Sequence, residues 1–197
     1  IATSVSLNSY LHVLDVETFS QVQLKQLGIN FQECVCLCNS PDESLVVIGS
    51  RENLAFFDVR TLSEVKRVRL PTGTMSSDFN THGGGAHASI SHMMPYGIRS
   101  LSWSGPLMTL GTGGGEVLFY DVRGDDFLSC DDCGKQAEVL RISSGFTVRH
   151  ELYSEMFNID VPNAVYTHCY DDTRTRLFTA GGPIAASVWG NFASIWQ

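Results

Sequence analysis

The sequence is poor in charge, and poorest in positive charge. Only 17% of its 197 residues are charged, and 13 Lys and Arg against 21 Asp and Glu give a net charge of −8. That deficit argues against nucleic acid as a partner, because phosphate contacts come from clustered Lys and Arg. Long hydrophobic runs are missing as well. Runs such as residues 45–48 and 117–120 are strand-sized and far short of the roughly 18 residues of a membrane span, so no membrane role is expected. No N-x-[ST] sequon occurs, which suits a cytoplasmic or nuclear chain. The chain opens at Ile1 with neither a charged n-region nor an apolar h-region, so we read no signal peptide and expect a piece of a longer protein. Motifs of catalysis are absent too: there is no G-x-S-x-G elbow, H-E-x-x-H pair or nucleotide fingerprint. Gly111-Thr112-Gly113-Gly114-Gly115 lacks the Gly-Lys-[Ser/Thr] of a phosphate loop and joins two strand-like runs, so it reads as a tight turn. Nothing calls for an enzyme, a catalytic residue or a cofactor.

What is present excludes disorder: 43% apolar residues, with 11 Phe, 6 Tyr and 3 Trp. Six cysteines raise the question of disulfides or metal. Cys34, Cys36 and Cys38 alternate along a strand-like run, so they share a face and are poorly placed to pair with one another. With Cys169 they are expected to be buried free thiols. Cys130-Asp131-Asp132-Cys133 has the spacing of half a zinc site, but no second Cys-x-x-Cys or His pair completes it, and a solvent-exposed loop is the competing reading. No metal site is expected.

The strongest signal is a repeat. Leu11-His12-Val13-Leu14-Asp15-Val16, Leu54-Ala55-Phe56-Phe57-Asp58-Val59-Arg60 and Val117-Leu118-Phe119-Tyr120-Asp121-Val122-Arg123 end alike, and Phe192-Ala193-Ser194-Ile195-Trp196 sets an aromatic where Phe57 and Tyr120 stand. Asp15 and Asp58 are 43 residues apart, Asp58 and Asp121 63, Tyr120 and Trp196 76. With the insertions removed, the period falls near ~40 residues, as for four-stranded propeller blades. In the cleanest repeat, 34–38 reads as strand a, 39–42 as a turn, 45–48 as buried strand b, 54–59 as strand c and 64–70 as an alternating outer strand d. The next repeat reads a at 98–103, b at 107–110 and c at 117–122; the last reads a at 165–170, b at 176–180 and c at 192–196. The fold class is therefore all-β, with blades at about 1–27, 33–70, 98–143 and 165–197. Residues 71–95, 124–136, 144–162 and 181–191 are insertions. The first is a long surface loop carrying His82, His87 and His92 at a spacing that suits no helical ligand set. The second and third flank a d strand at 137–142 and hold a short helix at 150–157, and the fourth is an elongated b–c turn.

These aromatic–Asp endings resemble the WD-repeat family. The Gly-His pair that often opens a WD blade is absent, a departure that touches the family's internal hydrogen-bond relay. The resemblance implies a β-propeller, and about three and a half blades imply an incomplete, C-terminal fragment of one. It also implies that the outer strand missing after the last strand c comes from the N-terminus of the whole protein.

Phe57-Asp58-Val59-Arg60 and Tyr120-Asp121-Val122-Arg123 resemble the aromatic–Asp–x–Arg box of WD-repeat receptors for cullin-RING ubiquitin ligases. On that resemblance Asp58, Arg60, Asp121 and Arg123 dock the damaged-DNA-binding-protein-type adaptor; the competing reading has the arginines cap the c–d turns of their own blades. Residues 165–171, 177–183 and 190–196 resemble the closing blade of the DDB- and cullin-associated factors, among them receptors that capture proteins ending in paired glutamates. The resemblance implies a basic pocket for those acidic C-termini, and by position Arg51, in a b–c turn, and Arg99, at the start of a strand a, are its substrate-binding candidates. A WD-repeat interaction scaffold without any ligase connection is the alternative function.

Overall fold

The computed structural model describes residues 1–6, 8–28, 36–71, 97–130, 136–142, 146–148, 163–183 and 189–197. It divides into two units, Ile1–Leu70 and Pro71–Gln197. Every regular element described in either is a β-strand, and all pairings are antiparallel. No helix among the described residues is long and apolar enough to cross a membrane.

The first unit holds two sheets. One runs β1 (Ala2–Val5), β2 (Tyr10–Leu14), β3 (Gln21–Gln26), and corresponds to strands b, c and d of a blade. The other is a full blade, β4 (Cys36–Asn39), β5 (Leu45–Gly49), β6 (Asn53–Asp58), β7 (Glu64–Arg69), side by side in chain order. In β5, Val46, Val47 and Ile48 are all buried, because the strand is covered on both faces. In β7 exposure alternates, as befits an outer strand with one face in water. Leu11, Val13 and Leu27 of the first sheet pack with Val46, Ile48, Ala55 and Phe57 of the second. Each such side chain is worth roughly 1.5–3 kcal/mol when fully buried, and this layer joins the two sheets.

The second unit begins with β8 (Ile98–Ser104), β9 (Leu107–Thr112) and β10 (Glu116–Asp121), again strands a, b and c in order. The outer edge of β10 is shared. The short β11 (Asp126–Phe127) pairs with Tyr120 and Asp121. A hairpin of β12 (Ser129–Cys130) and β13 (Gln136–Ala137) then leaves the sheet. The chain returns as β14 (Val139–Arg141) against Glu116, Val117 and Leu118. The d strand expected at 137–142 is thus real, but a first piece of the same edge lies upstream, inside the segment read as insertion.

The last sheet contains β16 (Asn163–Tyr170), β17 (Leu177–Pro183) and β18 (Trp189–Trp196), and its outer position is taken by β15 (Phe146–Val148). Phe146 pairs with Asn191, Thr147 with Gly190 and Val148 with Trp189. This differs from the expected arrangement, in which the N-terminus of the protein fills that slot and 144–162 is an insertion. Val117, Val165, Leu177 and Phe192 form the core between this sheet and its neighbour, with Phe119, Leu140, Tyr170 and Trp196 packed on it.

Of the elongated turn expected at 181–191, the described residues 181–183 and 189–191 are strand. Gly181 pairs with Phe192 on one side and Val165 on the other. A Cβ at Gly181 would stand 1.8 Å from the Ala164 carbonyl oxygen and 2.8 Å from the Phe192 ring, so glycine is there for close approach and marks no bend. Cys169 is exposed, which corrects the expectation of a buried thiol: a bulge at Val165/Thr167 shifts the alternation so that His168 faces inward instead. Cys36 and Cys38 are partly buried thiols on one face, in no disulfide, and burial pushes the Cys38 thiol up to about 12. The loop over 72–95, the helix expected at 150–157, Cys34 and Cys133 lie outside the described residues.

Candidate functional site

Three strands c end in the same turn. Asp15 Oδ1 accepts the backbone N–H of Glu17 at 2.8 Å and of Thr18 at 3.0 Å. Asp58 Oδ1 accepts the N–H of Arg60 at 2.9 Å and of Thr61 at 2.8 Å, and the Thr61 hydroxyl at 3.0 Å. Asp121 Oδ1 accepts the N–H of Arg123 at 2.9 Å. Four residues after each Asp the backbone turns to positive φ, at Phe19 (52°), Leu62 (52°) and Asp125 (60°). A short carboxylate that folds back on its own chain is what makes such a turn with ordinary residues. The Thr61 N–H is the first cause of an Asp58 carboxyl held below its usual range, and the Thr18 N–H does the same for Asp15.

The consequence for the sequence candidates is a division of labour. Asp58 and Asp121 are spent on the turn, through the backbone of Arg60 and Arg123. Both arginine residues are exposed, so their guanidinium groups stand at the c–d end of their blades with forked donors available to a carboxylate.

Arg51 and Arg99 occupy the opposite ends of the same two sheets. Arg51 is in the b–c turn between β5 and β6, which Ser50 closes by donating its hydroxyl to the Asn53 carbonyl at 3.0 Å while accepting the Asn53 N–H at 3.1 Å. Arg99 is an extra residue in β8: Ile98 pairs with Thr112 and Ser100 with Gly111, leaving Arg99 as a bulge. Bulges re-aim side chains. Tyr166 is bulged at the corresponding place in β16, between Val165 and Thr167, and is 46% exposed. Arg51 belongs to one unit and Arg99 to the other.

A family-model match covers residues 2–197, and the model is that of the DDB1- and CUL4-associated factor 12 beta propeller. The chain belongs to that family. Its sheets are propeller blades, and the all-β, WD-repeat-like architecture read from the repeats is the architecture of the family.

Sequence reasoning missed the polar layer inside the DDB1- and CUL4-associated factor 12 type blades. At one register position of strands a and b, the second blade pairs Leu37 with Ile48 and the third Leu101 with Leu110, but the fourth pairs His168 with Thr179. The Ser100 hydroxyl donates to the Val165 carbonyl at 2.9 Å and stands 2.8 Å from His168 Nδ1. Thr109 Oγ1 and Tyr170 Oη are 2.6 Å apart. Burial lowers His168 to about 4, so its imidazole is neutral at neutral pH. The only hint in the sequence was polar residues where earlier repeats carry aliphatic ones. Among the described residues no three His, Cys, Asp or Glu side chains group as a metal site.

Proposed function

We propose that this protein is the substrate-recognition subunit of a cullin-4-type RING ubiquitin ligase, working in the cytoplasm or nucleus without catalytic chemistry of its own. The observation that carries the reading is the family match over residues 2–197, to a propeller named for association with DDB1 and CUL4. In this reading Arg60 and Arg123 dock the DDB1 adaptor from the c–d ends of their blades, with Asp58 and Asp121 fixing the turns that present them. The b–c end holds substrate. Arg51 and Arg99, each on its own blade, are the candidate contacts for an acidic C-terminal Glu-Glu, whose carboxylates suit the planar fork of arginine. The net charge of −8 does not oppose this, since a pocket for a short acidic tail needs only a few convergent cations.

Two measurements on the full-length protein test the two ends separately. A Glu-Glu-ended peptide binds, and amidating its C-terminus or changing the last Glu to Lys lowers affinity at least tenfold; equal affinity for the altered peptides overturns the degron reading. Arg60→Ala with Arg123→Ala releases DDB1 in co-purification while the peptide still binds. An unchanged set of partners would make the protein a scaffold without a ligase connection.

A further inference from the structure

Of the 13 basic residues, 10 are arginine and 3 are lysine: Lys25, Lys66 and Lys135. Lysine is one of the commonest residues of globular chains, and it belongs at the surface. Here the surface goes to arginine. Among the described residues seven basic residues are exposed, and all seven are arginines: Arg60, Arg67, Arg69, Arg123, Arg141, Arg174 and Arg176. Both described lysines, Lys25 and Lys66, are half-buried instead. Lys135 lies outside the described residues.

The outer strands show this sorting most directly. Exposure alternates in the same order along β3 and β7. Each lysine takes one of the less exposed positions, whereas exposed positions in β7 carry Arg67 and Arg69. Both ammonium groups are also held. Gln23 and Lys25 alternate along β3 and so point the same way, toward the c–d turn of the second blade. Gln23 Nε2 donates to the Arg60 carbonyl at 2.8 Å, and Lys25 Nζ donates to the Leu62 carbonyl while resting 5.9 Å from the centre of the Phe57 ring. Lys66 Nζ stands 5.8 Å from the centre of the buried Phe56 ring. Ion pairing does not account for every exposed arginine. Arg67 does use its fork, with Nε and Nη2 each donating to a Glu64 oxygen at 2.7 Å. Arg69 and Arg141, both 72% exposed, come within 3.7 Å of Glu52 and 3.4 Å of Glu116. In such loose pairs a lysine ammonium would serve as well.

The two cations differ in what can be attached to them. A lysine amine accepts ubiquitin, and a guanidinium, delocalised and always protonated, does not. In the transfer the amine nitrogen adds to the carbonyl of the thioester that joins the C-terminus of ubiquitin to a carrier enzyme's cysteine. The N–C bond forms, the C–S bond breaks, and the cysteine leaves as a thiol with the proton that the nitrogen gives up. A receptor that presents substrates to a ligase stands within reach of the same thioester.

We propose that these blades are built to refuse ubiquitin. Arginine carries their exposed positive charge, and the amines of Lys25 and Lys66 are held against the sheets, so the ligase modifies what the receptor holds rather than the receptor. The inference rests on the reading of the protein as a ligase receptor and adds a form of regulation to it, protection from self-modification.

The test uses full-length protein assembled with DDB1 and a CUL4 RING ligase, supplied with ubiquitin, its activating and carrier enzymes and ATP. Mass spectrometry maps modification lysine by lysine. Arg69→Lys and Arg141→Lys keep the charge and place an amine on an exposed outer strand. Each takes ubiquitin at the substituted position at least tenfold faster than Lys25 or Lys66 does in the same reaction. Acylation by N-hydroxysuccinimidyl acetate needs no ligase, reads the amines alone, and gives the same order. If Lys25 and Lys66 acylate as fast as positions 69 and 141, the amines are not held and the proposal fails. If the acylation order stands but positions 69 and 141 take no more ubiquitin than Lys25 and Lys66 in the assembled ligase, the shielding is wrong and the receptor reading survives. If the protein does not assemble with DDB1, both fall.

Discussion

The indole N–H of Trp196 donates to the hydroxyl of Thr179 at 3.1 Å, across strands c and b of the last blade. Both side chains belong to the inward face of that sheet: Thr179 is 2% exposed and Trp196 packs on the cluster of Val117, Val165, Leu177 and Phe192. Thr179→Val keeps the shape and removes the acceptor, which leaves an indole N–H without its partner. The expected loss is about 1–2 kcal/mol, read as a lower denaturation midpoint at unchanged slope. Thr179→Ser, which keeps the hydroxyl, recovers most of it.

Gly181→Ala is far more damaging. The new methyl would meet backbone at 1.8 Å, which no side-chain rotation relieves. Overpacking of this kind costs about 3 kcal/mol or more. Gly28→Ala is the control, since nothing lies within 4 Å of a Cβ there. Thermal melts separate them: a large drop in Tm for the first and almost none for the second.

Glu116 sits opposite Arg141 in the register of β10 and β14, 8% exposed, with Arg141 Nη2 3.4 Å from Oε1. Burial raises its carboxyl to about 7, and the nearby arginine only partly opposes that rise. The folded protein therefore binds a proton that the unfolded chain has released between the ordinary value of 4.5 and about 7. Stability from this group is fully present below about 4.5 and is lost as pH rises through about 7. Glu116→Gln removes the dependence. Relative to wild type, its Tm should rise between pH 5 and pH 8, and parallel Tm–pH curves for the two proteins would count against the assignment.

Asp58 supports Arg60 through the turn, so its variants should act on adaptor binding without touching the adaptor. Asp58→Asn keeps an acceptor oxygen at the same reach and should bind DDB1 within about twofold of wild type. Asp58→Ala releases both backbone N–H groups and the Thr61 hydroxyl, and should weaken binding toward the level of Arg60→Ala. Titration of DDB1 against the three variants decides it; a fully active Asp58→Ala shows that the turn does not need its cap.

The strands legible in the sequence were those with a strong pattern. Residues 45–48 formed β5 because four consecutive apolar residues need cover on both faces, and 64–70 formed β7 because alternation matches an outer edge. The aromatic–Asp endings marked strands c because the Asp caps the turn that follows. What stayed hidden has no pattern to display. β11 and β15, with two and three residues, are too short for a period. The bulges at Arg99 and Tyr166 depend on which partner residue is skipped, a property of two strands together. Gly181-Gly182-Pro183 mimics a turn in one dimension, and only the closeness of Ala164 and Phe192 reveals a strand. Arg60 was legible as a candidate, whereas Gln23 and Lys25, 37 residues earlier in each hydrogen bond, were not.

The local origin of β15 bears on how the last blade folds. Its pairing with β18 joins Phe146 to Asn191 and Val148 to Trp189, so all four strands of the sheet come from one continuous stretch, 146–196. The entropy of bringing a closing strand to an edge grows with the chain between them. Here that chain is residues 149–188, which contain β16 and β17 of the same sheet. The blade can thus assemble as a cooperative unit of its own, and amide exchange at Phe146–Val148 should slow in step with Trp189–Trp196.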